Sequence, residues 1–554
     1  MDFDPEDINI PETLSYWGIT FGIALAASLL VAFLLAAALG GKKGIPRYFE
    51  HLGEGLRDMF GMSLRRVMAI SSLTVKESIR KKTLLVFVVF AILFMFAGWF
   101  LSGANANKDL QLSVHVSFVL TAIGWMVFPV ALLLSCWGIP EDIRLRSLHT
   151  VVTKPVRRSE IVVGRVIGFS LVGTFVIAVM SIVGYVWILR QIPPEIAKAE
   201  LISRVPIYGN LSYLDRQGQP TDKGLNTGDI NEFRGYIEGA TKARAIWKFE
   251  NLGESSLRLN PATQEKELLM ENSMQSFRTH KGGIDDLVES PEDLEALLLH
   301  GQIVLENPEK NLRVSLPQFP IHEFHQNLNW IPRKISSTDE ETQETKTYDL
   351  IEDLIQDDGS LIVEFRCVDA GQYIGMARPD LFVRLPEKPF ASSYFKSIFG
   401  LWMMTVLVIV MGVTASTFVK GPVATLLLLS VFLMGTLFQH FMEEMLSGNL
   451  KRSGLFESGI RILTHGNPEV GKEGSIEESA AIKRIDQGFT GFLKLASNAV
   501  PNFNTFSFKA YTANGFDVPL RSAILPAVFS LLGFLLPCFL LGYFSLKLRE
   551  LEAK

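Results

Sequence analysis

The sequence predicts a polytopic α-helical membrane protein that carries a β-sandwich-like domain outside the membrane. Apolar residues make up 48% of the 554 residues and gather into long runs. Several runs approach the roughly 20 residues that a spanning helix needs. Between two of them, one long segment alternates apolar and polar residues behind turn signals, as strands do. The formal net charge of −5 does not indicate nucleic-acid binding, because the basic residues line the predicted membrane face.

Seven apolar runs predict about seven spanning helices, one extra span near the N-terminus and six that form a bundle. The runs are 17–39, 83–101, 114–137, 161–189, 395–419, 423–440 and 523–546. A signal peptide is the alternative for the first run. It is disfavoured because the run is long, follows acidic residues and lacks a small-residue cleavage pattern.

Basic residues predict which ends of the spans face the cytoplasm. Residues 41–82 contain ten Lys or Arg and four acids, whereas residues 1–16 contain acids and no base. The positive-inside rule therefore places 41–82 in the cytoplasm of an inner-membrane protein. Counting seven crossings, we expect the N-terminus and residues 191–392 to be extracytoplasmic.

The spans divide the chain into segments of different character. A cytoplasmic segment ends in an amphipathic elbow helix, which has Leu64 and Val67 on one face and Lys76 and Arg80 opposite. The predicted segments are 1–40 (extra span), 41–82 (cytoplasmic, with the elbow), 83–190 (first half of the bundle), 191–392 (exported domain), 393–441 (spans of the second half), 442–522 (extracytoplasmic helical segment) and 523–554 (last span and cytoplasmic tail).

The sequence pattern of the exported domain predicts a β-sandwich of jelly-roll type. The run SLIVEFRCV at 360–368 alternates apolar and polar residues directly after the turn residues Asp357, Asp358 and Gly359. Further strand-like runs occupy 245–249, 257–259, 303–305 and 312–316. The polar run 336–347 has the composition of a mobile loop.

A charged stretch between two apolar runs, residues 137–168, predicts a short helix at the membrane surface. Pro140 suits its first helical position and Pro155 its end, which gives a helix over 139–155. Ser159 is suited to cap the next helix. A short basic helix held between two spans is a part that another protein can move. A basic loop lying on lipid headgroups explains the spacing equally well.

Two glycines at the start of the following span form a small-xxx-small pair. Gly164 and Gly168 recur four residues apart, so they share one helical face and let a neighbouring helix approach closely. We therefore predict helix packing at this pair.

Other motifs do not predict a catalytic site, a cofactor site or a metal site in this chain. The run GNPEVGKE at 466–473 lacks the Ser or Thr that follows the lysine of a phosphate loop. The HEFH run at 322–325 is one residue short of the spacing that places two zinc-ligating histidines on one helical face. Three cysteines in 554 residues exclude a disulfide framework.

The arrangement as a whole resembles the permease subunit of bacterial type-2 ABC transporters. The similar parts are an elbow helix, a two-span hairpin, TKPVRRSEIVVGRVIG at 153–168, STFVKGPVATLLLL at 416–429 and a last span entered from the Pro-rich outer segment that begins VPNFNTF. They cover 63–190 and 393–547. The first span and the exported domain are not part of the basic family pattern.

The resemblance implies a non-catalytic permease with a six-helix bundle, which moves or exports a substrate. It implies dimerisation with a second permease copy or a homologous permease, and docking of 139–155, as a coupling helix, on a separate ABC ATPase subunit. That subunit would hold ATP and Mg²⁺. The predicted coupling residues are Glu141, Arg144, Leu145, Arg146, Leu148 and Arg157.

A membrane-anchored binding or adhesion protein is the alternative from another class. In that case the β-sandwich captures a glycan or a protein partner. An intramembrane enzyme is disfavoured, because the span interiors lack clustered Asp, Glu, His or Lys.

Overall fold

The computed structural model describes residues 9–39, 44–80, 85–100, 108–144, 156–192, 201–221, 223–225, 234–278, 298–321, 326–338, 345–439, 486, 488–491 and 500–552. Contacts divide the chain into two compact units. The β unit consists of residues 198–392 together with 515–517, and the helical unit contains most of the rest.

The helical unit is built mainly from long helices. In chain order the helices are α1 (Ile10–Leu39), α2 (Gly44–Phe60), α3 (Leu64–Arg80), α4 (Leu85–Phe100), α5 (Lys108–Arg144), α6 (Arg158–Gln191), α7 (Phe390–Phe418), α8 (Gly421–Leu433), α9 (Lys509–Ala513) and α10 (Leu525–Glu552). A π-helical segment, Met434–Phe438, prolongs α8, and another, Leu520–Ile524, precedes α10.

Six helices in the described residues are long and apolar enough to cross a membrane. They are Ile10–Leu34, Leu112–Glu141, Arg158–Gln191, Phe390–Phe418, Gly421–Phe438 and Leu520–Lys547. The prediction of several apolar helices compatible with a membrane-embedded protein is therefore confirmed. The remaining predicted span, 83–101, contains α4, of which residues 85–100 are described, and the residues on either side of α4 lie outside the described part of the chain. A total of seven spans stays a prediction.

One helix differs from its prediction at a proline. Pro140 lies inside α5, which continues to Arg144, so the prediction that a new helix begins at Pro140 is wrong. The residues before Pro140 are apolar, and their backbone groups have no polar partner other than the helix itself. The helix therefore tolerates one lost hydrogen bond at the proline and ends only among charged residues.

The β unit is antiparallel and is built from short strands. They are β1 (Ile202–Tyr208), β2 (Asn210–Leu214), β3 (Pro220–Thr221), β4 (Gly235–Glu238), β5 (Arg244–Phe249), β6 (Arg258–Leu259), β7 (Lys266–Asn272), β8 (Gln275–Arg278), β9 (Leu299–Asn307), β10 (Leu312–Ser315), β11 (Phe319–Ile321), β12 (Asn327–Pro332), β13 (Lys334–Thr338), β14 (Thr345–Asp349), β15 (Leu361–Cys367), β16 (Gln372–Met376) and β17 (Leu381–Pro389).

Two larger sheets contribute their inward faces to one apolar core. The first has the order β1-β17-β7-β12, with β6 beside β7, and the second has the order β10-β9-β15-β5-β2-β3, with β11 beside β9. Trp247 and Phe365 of the second sheet and Met270 and Val383 of the first are fully buried in this core. An antiparallel β-rich unit is confirmed, whereas its jelly-roll connectivity stays a prediction.

Two features of the β unit differ from or add to the sequence prediction. The predicted loop at 336–347 instead has strands β13 and β14 at its ends, paired from Lys334–Asp349 to Thr338–Thr345. The tripeptide 515–517 joins the unit at β1, where Arg204 N donates to Gly515 O and Asp517 N donates to Arg204 O, each at 2.8 Å. The ring of Phe516 lies under the Arg204 guanidinium, 4.2 Å away.

Candidate functional site

A buried carboxylate stands at the start of α6. Glu160 is 0% exposed. Its Oε1 accepts from Ser63 N at 2.8 Å and from Arg66 Nε at 3.0 Å. Its Oε2 accepts from Arg157 N at 3.0 Å. One carboxylate therefore fixes the first turn of α6 to the turn between α2 and α3.

The end of α2 completes this arrangement. Asp58 O accepts from Ser159 Oγ at 2.8 Å, and Asp58 Oδ2 accepts from the Tyr543 hydroxyl of α10 at 2.9 Å. Arg157 Nη1 donates to Arg57 O at 2.7 Å. We name Asp58, Arg66, Arg157, Ser159, Glu160 and Tyr543 the Glu160 cluster. It joins α2, α3, α6 and α10.

The cap of α6 differs from the prediction. Helix α6 begins at Arg158 and its N-cap is Arg157, so Ser159 is not the cap. The Ser159 hydroxyl is committed to the Asp58 carbonyl, and the Glu160 side chain satisfies the free Arg157 N–H instead. A carboxylate at this position also interacts favourably with the positive end of the helix.

A second contact holds α2 against α10 one turn away from the cluster. Lys547 Nζ lies 2.8 Å from Glu54 Oε2, and the Lys547 side chain is largely buried. Glu54 and Asp58 are four residues apart, as are Tyr543 and Lys547, so each pair lies on one face of its helix. The two helices therefore meet at two successive positions.

The glycine pair of α6 lies against α3. A Cβ added at Gly164 would lie 2.8 Å from Ile70 Cβ, and one added at Gly168 would lie 2.5 Å from Thr74 Cβ and 2.9 Å from the Ser71 carbonyl. Between them, Arg165 Nη1 lies 2.7 Å from Glu77 Oε2. Since the small residues Ser71 and Thr74 are buried here, the two helices approach at nearly backbone distance.

We expect Gly168→Val to destabilise the helical unit by about 1–3 kcal/mol, the usual cost of overpacking. The backbone carbonyl of Ser71 cannot move aside as a flexible side chain would. The melting temperature of the detergent-purified protein measures the effect. Gly22→Val in α1 is the matched control, because a Cβ there meets nothing within 4 Å. Equal melting temperatures for the two variants would contradict the close approach of α3 and α6.

The end of α5 is held by different helices. Trp137 Nε1 donates to Thr425 Oγ1 of α8 at 3.2 Å. A Cβ added at Gly138 would lie 2.6 Å from the ring of Phe169 in α6, and Ile139 is fully buried. The helices on both sides of residues 145–155, α5 and α6, are therefore packed into the bundle.

The structure describes only some of the predicted coupling residues. Glu141 is half-buried near the end of α5 and Arg144, its last residue, is exposed. Arg157 belongs to the Glu160 cluster. The others, Leu145, Arg146 and Leu148, lie outside the described residues.

Sequence reasoning missed four members of the Glu160 cluster, namely Asp58, Arg66, Glu160 and Tyr543. Glu160 bonds residues that are 94 and 97 positions away in the chain, so no local pattern reveals its partners. The one available signal was an acidic residue in the first turn of an apolar helix, where the helix dipole favours it.

The described residues lack a cluster of metal-ligating side chains, and their cysteines are buried. They contain no group of three or more His, Cys, Asp or Glu side chains that could hold a metal ion. All three cysteines are buried and unpaired. Burial raises the pKa of the Cys367 thiol to about 12, which keeps this thiol protonated at neutral pH and unreactive. The motifs at 322–325 and 466–473 lie outside the described residues.

The Glu160 cluster positions four helices relative to one another. Comparison of the chain with protein families, with curated proteins and with solved structures finds no match.

Proposed function

We propose that the chain is the permease subunit of an ABC transporter of the cell inner membrane, which moves or exports a substrate with ATP hydrolysed by a separate ATPase subunit. In this proposal it works as a dimer with a second copy or a homologous permease. ATP and Mg²⁺ bind to the ATPase subunit. The chain itself does no covalent chemistry.

The observation that carries the proposal is the anchoring of the two helices, α5 and α6, that flank the basic segment 145–155. On one side, α5 is fixed to α8 through Trp137 and Thr425. On the other side, Arg157 and Glu160 fix α6 to the turn between α2 and α3. A loop that only rests on headgroups needs no such anchoring, so the observation favours a segment that bears force.

The contacts suggest a route for that force. A push on 145–155 displaces the first turn of α6. The buried Glu160 carries α3 with it through Arg66, and Asp58 carries α10 through the Tyr543 hydroxyl. Close packing at Gly164 and Gly168 leaves little room for α3 to slip along α6. Several helices therefore move together, which is how a closing ATPase pair can change the bundle.

In this proposal the coupling residues divide into two groups. The charged side chains Glu141, Arg144, Arg146 and Arg157 make polar contacts with the ATPase. Leu145 and Leu148 supply the apolar anchor. Residues 41–82 and 138–160 are cytoplasmic, whereas the N-terminus and residues 191–392 are extracytoplasmic.

The orientation is tested by single cysteines in a background without the native cysteines. We expect an impermeant maleimide to label Gln219→Cys in intact cells and to label Thr150→Cys only after the membrane is opened. Residue 219 lies in the β unit and residue 150 in the basic segment. The opposite pattern would reverse the topology.

The function is tested by purifying the tagged protein from its native membrane with a mild detergent. We expect an ATPase subunit with phosphate-binding loops to co-purify in stoichiometric amount, and its ATP hydrolysis to rise when the two are reconstituted together. Recovery of the chain without any ATPase, together with glycan or protein bound to residues 191–392, would favour the membrane-anchored binding protein.

A further inference from the structure

A cavity of about 350 Å³ opens between α5, α7 and α8 and is closed at one end by residues 503–509. This volume lies in the range of ligand pockets, about 300–1,000 Å³. None of the predicted coupling residues and no member of the Glu160 cluster lines it. The cavity is therefore a separate feature of the helical unit.

The closed end of the cavity carries the polar groups of its lining, beside Phe503 and Phe508. Lys509 Nζ donates to Thr121 Oγ1 of α5 at 3.4 Å. Ser397 Oγ of α7 donates to Phe508 O at 3.1 Å, and Asn504 Nδ2 donates to the carbonyl of Thr436, beyond α8, at 3.0 Å. Each of the three surrounding helical segments thus meets residues 503–509 through a polar group.

The cavity becomes apolar along the same helical segments. Two turns from Thr121 lies Phe128, two turns from Ser397 lies Met404, and two turns from Thr436 lies Leu429, all in the lining. At 1.5 Å per residue the polar and apolar ends are about 10 Å apart. In the lining, the rings of Phe128 and Phe432 pack with centroids 3.9 Å apart, and Phe432 also packs against Phe503. The cavity therefore suits a molecule with one polar and one apolar end.

One side of the cavity is open along the helices. Trp125 is 71% exposed and Leu433 is 44% exposed, and both belong to the lining. All three helices are apolar enough to cross a membrane. A membrane lipid can therefore enter sideways, with its acyl chain leading into the apolar end.

The charge at the polar end selects the headgroup. Among the described residues, the bond to Thr121 is the only polar contact of the Lys509 ammonium, and no acidic side chain lines the cavity. An anionic headgroup gains an ion pair with Lys509, whereas a zwitterionic headgroup brings its own cation beside it. We propose that this cavity is a binding site for an anionic phospholipid, with its headgroup at Lys509 and an acyl chain between Phe128 and Met404.

The test uses full-length protein in nanodiscs that contain a small fraction of a photoactivatable lipid. The probes are phosphatidylglycerol and phosphatidylcholine, each with a diazirine on the acyl chain. After irradiation, mass spectrometry measures the yield of crosslinks to the peptides that contain Trp125, Phe128 and residues 503–509. We expect phosphatidylglycerol to crosslink about fivefold more than phosphatidylcholine, the factor that one partly exposed ion pair supplies.

Two variants and one control sharpen the result. Lys509→Gln should remove the preference for phosphatidylglycerol. Gly124→Leu should lower the crosslinking of both lipids, because a Cβ at Gly124 meets only Leu401, at 3.6 Å, and a larger side chain fills the cavity. Lys420→Gln is the matched control, an exposed lysine at the turn between α7 and α8, and should change nothing.

Two results would overturn the proposal. Equal crosslinking of the two lipids in the wild-type protein means that the site does not select anions. Absence of crosslinks from the wild-type protein means that another part of the chain fills the cavity. The comparison of lipids in the wild-type protein needs no variant to fold. Either result leaves the proposed permease function untouched, since that proposal rests on other residues.

Discussion

Glu160→Ala should destabilise the helical unit by about 2–5 kcal/mol, the largest loss of stability that we expect from a single side chain at the start of α6. The substitution removes the acceptor for two backbone N–H groups, those of Ser63 and Arg157, and for the Arg66 guanidinium. A buried donor left without a partner costs about 1–3 kcal/mol. The lost contact with Arg66 adds less to the destabilisation, because the Arg66 side chain is 35% exposed and its guanidinium can bond to water instead.

The measurement is the melting temperature of the detergent-purified protein, followed by size-exclusion chromatography after heating. Glu160→Gln keeps an acceptor oxygen, so its melting temperature should fall less than that of Glu160→Ala. Arg66→Ala should also lose less, since both backbone donors keep their carboxylate. Glu50→Ala, at an exposed position of α2, is the matched control. If Glu160→Ala and Glu50→Ala have the same melting temperature, the Glu160 carboxylate does not hold the four helices together.

The sequence predicts the helices of the bundle better than it predicts their ends. Apolar runs locate the six helices that can span a membrane, because the need for internal hydrogen bonds leaves few alternatives there. Helix ends depend on tertiary partners. No helix begins at Pro140, which lies inside α5. Ser159 does not cap α6, because its hydroxyl donates to the distant Asp58 carbonyl and the Glu160 side chain accepts from Arg157 N instead.

The β unit shows the same limit. Alternation predicts a strand at 360–368, and shorter strand-like runs predict strands at 245–249, 257–259, 303–305 and 312–316. The structure has a strand at each of these places. The contribution of residues 515–517 was not predictable, because the three residues meet β1 more than 300 positions away along the chain. Local patterns predict strands, whereas the partners of a strand edge depend on the whole fold.

One part of the candidate site was visible in the local sequence, whereas another part depends on residues that are distant in the chain. Gly164 and Gly168 are visible in the sequence as a pair, and the structure places both against α3. The Glu160 cluster is not visible, because its members come from four separate helices and the turns beside them. The sequence therefore indicates the basic segment 145–155, and the structure adds the contacts between the helices beside it.

The charge and the apolar face of the basic segment should each be required for coupling to the ATPase. Arg144→Glu, combined with Arg146→Glu, keeps the apolar face but places acids in a partly desolvated contact, which costs about 2–5 kcal/mol when the original ion pairs are buried. The affinity for the ATPase should then fall at least about 30-fold. Leu148→Asp should be at least as damaging, because it places a charge in the docking pocket.

Co-purification of the ATPase and permease-stimulated ATP hydrolysis measure both losses, while membrane insertion should stay normal because only a cytoplasmic surface has changed. Arg80→Glu is the matched control, since Arg80 is exposed at the end of α3 and lies on the same predicted side of the membrane. Its ATPase yield and stimulation should equal those of the wild type. If the variants at 144, 146 and 148 also insert, bind and stimulate like the wild type, the segment is a loop on the headgroups. The Glu160 cluster then holds helices together without transmitting force, and the permease function loses its mechanical support.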